Sequence, residues 1–227
     1  MILSIADVLS QTEVRWLREQ LDAVPWREGA ETAGRLARDV KRNRQADENA
    51  AATRRLSDFV LGKIAAHPQF VSAALPASFY PPKFNRYGVG ETYGTHVDSA
   101  ILRAPHDGHA LRSDVSATLF LSEPEEYDGG VLEIDTQFGV QEVKLGAGAL
   151  ILYPSSSLHR VAPVLAGERL ASFFWAQSMV RDTTVRSALY DLDHTIQALS
   201  MSEHTDKQDL VTLGAVYHNL LRVHADC

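Results

Sequence analysis

Between residues 76 and 180 the chain is cut into short apolar runs by Gly, Pro, Asn and Asp, and this spacing limits the possible folds more than any other feature. Ser116–Leu121 reads as a strand. Asp128-Gly129-Gly130 is a turn signal, and Val131–Ile134 alternates after it. Val140–Leu145 is a further alternating run, and Gly146-Ala147-Gly148 is a turn. Ala149–Tyr153 and Leu170–Ala176 complete the set. Several short strands at this spacing predict an antiparallel sandwich, jelly roll or barrel. No strand–helix–strand rhythm runs through them, which argues against a doubly wound parallel sheet.

The flanks have a different texture. Residues 1–77 look helical. Ser10 and Glu13 have the spacing of a capping box, and Val14, Leu17 and Leu21 follow at helical spacing until Pro25. A second helical run is expected from about Ala46 to Ala66, ending before His67-Pro68. The locally basic stretch Arg35–Arg44 reads as a solvated helix face or loop. After the β core of residues 78–180, residues 181–227 return to helix. Val185, Leu189, Leu192, Ile196 and Leu199 share one face, and a second segment from Lys207 carries Leu210, Leu213, Val216 and Leu220. No Pro/Gly-rich linker separates these regions, so the flanks are expected to pack on one mainly β core.

Composition narrows the function. Lys and Arg number 22 against 29 Asp and Glu, a net charge of −7, which argues against nucleic acid as a partner. The lone Cys, Cys227, allows no intrachain disulfide and excludes a Cys-rich zinc site. No apolar run approaches the length of a membrane span, and Met1–Asp7 lacks a basic n-region. The expectation is a cytoplasmic protein, with a homo-oligomer left open by the apolar faces of the terminal helices.

The chemistry concentrates in Arg86–Asp98. His96 and Asp98 lie two apart, so a strand ending there projects both to one face. His159 follows the apolar run Ala149–Tyr153 and a short loop. Two His and one carboxylate on one face form the facial triad of non-heme Fe(II) oxygenases, with coordination positions left open. His204-Thr205-Asp206 repeats the His-x-Asp form in a loop between helical segments, and is read as surface without function. Arg169 follows His159 by ten residues and enters an apolar run. A buried Arg needs an anion, and a planar guanidinium clamps a carboxylate through two parallel hydrogen bonds. The alternative has Arg169 capping the Gly167 turn or pairing with Glu168 at the surface.

These residues resemble the Fe(II)/2-oxoglutarate-dependent dioxygenases of the prolyl-4-hydroxylase-like branch. More narrowly, Phe84–Gly88, Gly94–Asp98, Asp128–Leu132 and Gly167–Asp182 are similar to the bacterial PKHD-type hydroxylases. The resemblance implies a double-stranded β-helix (jelly roll) core, with iron on His96, Asp98 and His159. It also implies 2-oxoglutarate on Arg169, O2 as co-substrate and ascorbate as a supporting reductant. Hydroxylation of an unidentified small-molecule or peptide substrate, with release of succinate and CO2, follows from it.

Tyr87 or Tyr93 is a candidate hydrogen-bond donor to 2-oxoglutarate. Ser172, further along the run that Arg169 opens, is expected to share its face and assist at the same carboxylate. Tyr153, Phe173, Phe174 and Trp175 are read as core, and the polar segment Ser99–Ser113, with His106 and His109, as a candidate substrate lid. Two other classes use the same ligands: a cupin-like isomerase or hydrolase on zinc or manganese, and a non-catalytic jelly-roll binding protein.

Overall fold

The computed structural model describes residues 1–32, 38–105 and 108–226. The N-terminal region is more than helical. It runs β1 (Leu3–Ile5), α1 (Gln11–Asp22), β2 (Trp26–Glu28), β3 (Lys41–Arg42), β4 (Arg44–Ala46), α2 (Ala51–Ala65) and α3 (Pro68–Ala74). The capping box at Ser10 and Glu13 opens α1 as expected, and Val14, Leu17 and Leu21 are the buried stripe. The expected second helix begins five residues later than its apolar pattern suggests, because Ala46 is taken by β4. Pro68 then starts α3 at a position where its missing N–H costs nothing.

The core follows as β5 (Pro76–Tyr87), β6 (Thr92–His96), β7 (Ile101–Arg103), β8 (Ala110–Arg112), β9 (Val115–Phe120) and β10 (Tyr127–Gly129). It continues with β11 (Leu132–Thr136), β12 (Gly139–Val143), β13 (Leu150–Pro154), β14 (His159–Val161), β15 (Val164–Gly167) and β16 (Arg169–Ser178). The major sheet is seven-stranded, in the order β1-β13-β9-β16-β5-β4-β2. The minor sheet has five strands, in the order β12-β11-β14-β6-β3. The strand pairings are antiparallel, as in a jelly roll. Strands from the first 77 residues therefore build both edges of the major sheet and one edge of the minor sheet.

Each face of the major sheet has its own core. Phe84, Leu119, Leu152 and Phe174 pack outward with Leu17, Val60 and Phe70 of the helices. Tyr87, Phe120, Ile151 and Tyr153 face inward, against Ile134 and Val161 of the minor sheet. Burying a side chain of this size stabilises the fold by about 1.5–3 kcal/mol. The alternation along β9 thus separates a helix-facing surface from one turned toward the space between the sheets.

α4 (Thr183–Ser200) and α5 (Lys207–His224) form a hairpin joined to the body through Leu75, Val180 and Leu189. Among the described residues no helix is long and apolar enough to cross a membrane. Asp206 has a structural task, since its carboxylate accepts the Gln208 N–H at 2.8 Å and caps α5. Asp206→Ala is expected to lower stability by about 1 kcal/mol while leaving iron affinity unchanged. A melting curve beside a metal titration checks both, and loss of iron binding would restore this His-x-Asp pair as a ligand candidate.

Candidate metal and 2-oxoglutarate site

β6 and β14 are neighbours, and their register sets His96 directly opposite His159. β6 ends at His96, so Asp98 belongs to the segment after the strand rather than to the strand itself. It nevertheless turns to the same centre. Potential ligand atoms of His96, Asp98 and His159 all lie within 4.8 Å of one another. The carboxylate Oδ2 of Asp98 is 3.8 Å from Nε2 of His159.

Both imidazoles are oriented from behind. Nδ1 of His96 is 2.8 Å from the Gly94 carbonyl, and Nδ1 of His159 is 3.0 Å from that of Ser157. With the proton on Nδ1, each Nε2 lone pair is left for a metal. Burial, and then the neighbouring His159, lower the pKa of His96 to about 4, which keeps the ring neutral as a ligand must be. Tyr93 stacks on the His96 ring, with centroids 3.6 Å apart.

Asp98 is oriented by residues that sequence reasoning missed. The hydroxyl of Ser116 lies 2.6 Å from Oδ2 of Asp98 and 2.8 Å from the Ser155 hydroxyl. A carboxylate only accepts, so Ser116 donates to Asp98 and receives from Ser155. A signal was present: Ser116 and Thr118 alternate with Ala117 and Leu119, placing polar residues on one face of a buried strand.

Arg169 opens β16. Gly167 ahead of it has φ +71°, and a Cβ there would come within 2.0 Å of the Glu126 carbonyl oxygen, so the turn into the strand needs glycine. Glu168 points outward, where it meets Arg44 and Arg86, each at 3.2 Å. The guanidinium of Arg169 goes inward instead and is 1% exposed. It lies between the rings of Tyr87, at 5.4 Å, and Phe120, at 5.3 Å. Its Nε and Nη1 have no hydrogen-bond partner. Burying such a cation is costly unless an anion completes it, and its unpartnered donors fit a carboxylate.

A cavity of about 640 Å³ joins this cation to the triad, and Tyr87, Tyr93 and Tyr153 line it. Burial raises the Tyr87 phenol to about 12, so it remains a donor. Two imidazoles and a carboxylate at one end, with a guanidinium holding two unpartnered nitrogens at the other, suit a divalent metal and a short dicarboxylate.

Three expectations change. Ser172 stands three positions beyond Arg169, so a regular strand turns it to the other face. It pairs with Phe84 and Leu119, both in the helix-side core, and does not line the cavity. The basic stretch Arg35–Arg44 is not simply solvated: Lys41 and Asn43 are buried and line the cavity, while residues 33–37 lie outside those described. Burial, and then the charge of Lys83, lower the Lys41 amine to about 8. Of the aromatics read as core, Tyr153 and Phe174 are buried in it, whereas Phe173 and Trp175 are half-buried and wall the cavity. The segment Ser99–Ser113 carries the β7–β8 hairpin, closed at its base by the Ser113 hydroxyl on the Ser99 carbonyl, with Leu102 in the cavity wall. His106 lies outside the described residues, and His109 is exposed.

The family model of the 2OG-Fe(II) oxygenase superfamily matches residues 82–177, and that of the PKHD-type hydroxylase C-terminal domain matches residues 184–226. A PKHD-type hydroxylase of Acidovorax ebreus (strain TPSY) is 56% identical over 98% of each chain. One from Shewanella baltica (strain OS155 / ATCC BAA-1091) is 54% identical over the same shares. A crystal structure of a Pseudomonas putida prolyl-4-hydroxylase aligns with a TM-score of 0.54 at 24% identity, over 78% of this chain and 92% of that one. A viral collagen prolyl hydroxylase from Paramecium Bursaria Chlorella virus-1, in its 2OG complex, aligns with the same score at 18% identity, over 78% and 96%. At these identities the two structures bear on the fold alone.

Proposed function

The chain belongs to the PKHD-type hydroxylases of the 2OG-Fe(II) oxygenase superfamily, and from that membership we propose that His96, Asp98 and His159 hold the iron and Arg169 holds 2-oxoglutarate. The enzyme is an Fe(II)- and 2-oxoglutarate-dependent dioxygenase acting on a substrate not yet identified, with ascorbate as supporting reductant. Bound iron, with 2-oxoglutarate and O2, supplies oxidative decarboxylation to succinate and CO2 and delivers one oxygen atom to a substrate C–H bond.

The protein supplies position. Nε2 of each imidazole and the carboxylate of Asp98 would hold the metal, with coordination positions left over for co-substrates. The Gly94 and Ser157 carbonyls fix the two rings, and Ser116 fixes the carboxylate. Arg169 receives the distal carboxylate of 2-oxoglutarate, which sets that molecule's direction in the cavity. Tyr87, beside the guanidinium and protonated at neutral pH, is its hydrogen-bond donor. Tyr93 holds the plane of His96 by stacking. We also infer a cytoplasmic setting, where reduced iron and 2-oxoglutarate are both supplied.

The observation that carries this assignment is the buried guanidinium of Arg169, with two unpartnered nitrogens, in one cavity with the triad. Titrating the metal-free protein with Fe(II) under air, with 2-oxoglutarate and ascorbate but no further substrate, should give slow succinate release that needs both iron and 2-oxoglutarate. A zinc- or manganese-dependent hydrolysis or isomerisation that ignores 2-oxoglutarate would favour the cupin-like alternative.

A further inference from the structure

The pairing of β5 with β16 orders the inner wall of the cavity. Tyr87 stands opposite Arg169, Lys83 opposite Phe173, and Tyr80 opposite Trp175. Residues opposite each other in an antiparallel pair share a face. Trp175 also pairs with Ser116 of β9, the residue that holds Asp98. The wall therefore runs from the guanidinium to the level of the triad, and Lys83, Tyr80, Phe173 and Trp175 surround the end away from Arg169. A small diacid between Arg169 and the metal leaves that end to the primary substrate.

The lining there has a definite chemistry. Trp175 packs edge-on against Tyr80 and Phe173, with centroids 5.4 and 5.5 Å apart, which makes a rigid aromatic wall. Lys83 reaches over the Tyr80 ring, its Nζ 5.2 Å from the centroid, and pairs with Glu48 at 2.8 Å. Lys41 brings a second ammonium over Tyr93, also at 5.2 Å. The charges can be balanced. Fe(II), the Asp98 carboxylate, the 2-oxoglutarate dianion and Arg169 sum to zero. Beyond these, the described lining residues bring two ammonium groups, Lys41 and Lys83, to this part of the cavity, beside the aromatic wall. Ammonium groups in a wall of low dielectric favour an anion.

We propose that the primary substrate carries a carboxylate or similar anionic group that docks on Lys83, aided by Lys41, with its flat or apolar body against Tyr80, Phe173 and Trp175. The proposal rests on the oxygenase assignment and adds the class of molecule the enzyme accepts. Lys83 orients the anion so that the remainder of the substrate is presented to the metal, and Glu48 tempers its charge.

The test uses the iron- and 2-oxoglutarate-loaded enzyme without O2, in calorimetric titrations. The probes are matched pairs: phenylacetate with phenylacetamide, and N-acetyl-L-phenylalanine with its primary amide. Each carboxylate should bind at least tenfold more tightly than its amide. Lys83→Gln should abolish that preference, and Glu48→Gln, which removes the competing carboxylate, should increase it. If the Lys83–Glu48 pair served structure alone, both substitutions would lower the melting temperature and neither would move the preference. No preference for carboxylates in the wild type, or a preference that survives Lys83→Gln, overturns the proposal. Glu48→Gln keeps the question open to measurement should Lys83→Gln fail to fold. Iron-dependent succinate release by the wild type, measured in parallel, tells failure of this proposal from failure of the oxygenase assignment.

Discussion

Arg169→Ala is expected to keep its iron and lose its grip on 2-oxoglutarate. The guanidinium is buried, flanked by Tyr87 and Phe120, and offers Nε and Nη1 to no group of the protein. Removing one partner of a buried charge-assisted pair costs about 3–5 kcal/mol, or roughly two to four orders of magnitude in affinity. The 2-oxoglutarate concentration for half-maximal succinate release should rise by that factor. Arg169→Lys should recover part of it, because the charge returns without the planar fork. Stability offers a second readout. Saturating ligand at a hundred times its Kd stabilises a protein by about 2.7 kcal/mol. In a domain of this length each kcal/mol moves Tm by about 2–4 °C. Wild type should therefore melt several degrees higher with 2-oxoglutarate and iron than with iron alone, and Arg169→Ala should not. Without ligand the variant should melt no lower than wild type, since it sheds an uncompensated buried cation. An unchanged 2-oxoglutarate requirement would remove Arg169 from the site.

Much of this was legible in the chain. Strands β9, β11, β12, β13 and β16 lie where short apolar runs meet Gly and Asp turns, within a residue or two at their ends. α1, α4 and α5 follow their apolar stripes. The residues brought together as His96, Asp98 and His159 were legible because a two-residue step and a distant strand suffice to specify them. β5 was not legible. Pro76, Pro81 and Pro82 argue against a strand, yet β5 is the main partner of β16. The contradiction resolves in the register. It shifts between Phe173 and Trp175, opposite Pro81 and Pro82, and β4 reaches β5 only at Asn85 and Arg86. The prolines thus sit at a bulge and on an open edge, where a missing N–H breaks no ladder. β2, β3 and β4 are two or three residues long and carry no periodicity. Their pairing with distant strands is a tertiary effect, and it is what brings Lys41 and Asn43 to the cavity.

Asp98→Ala should abolish iron binding and with it turnover, the largest effect expected from a single substitution. The two imidazoles are neutral donors, and Asp98 is the one anion among the three ligand candidates. Without it a divalent ion would sit in a half-buried site with no charge to offset its own. Asp98→Asn tests whether shape or charge is decisive: the carboxamide fills the same space, and iron affinity should still collapse. Ser116→Ala isolates the support behind the ligand. Its hydroxyl donates to Oδ2 at 2.6 Å while receiving from Ser155, so it fixes the carboxylate's rotation and draws it away from other partners. Residues of this kind typically contribute about 10–100-fold to metal affinity. Ser116→Ala should therefore bind iron that much more weakly and regain succinate release when iron is raised, whereas Asp98→Ala should not regain it at any concentration. Anaerobic Fe(II) titration followed by turnover at saturating iron separates the two. Wild-type iron affinity in Asp98→Ala would refute the triad. Iron loss in Ser116→Ala that added metal cannot restore would mean that Ser116 sets the geometry of the centre and not only its affinity.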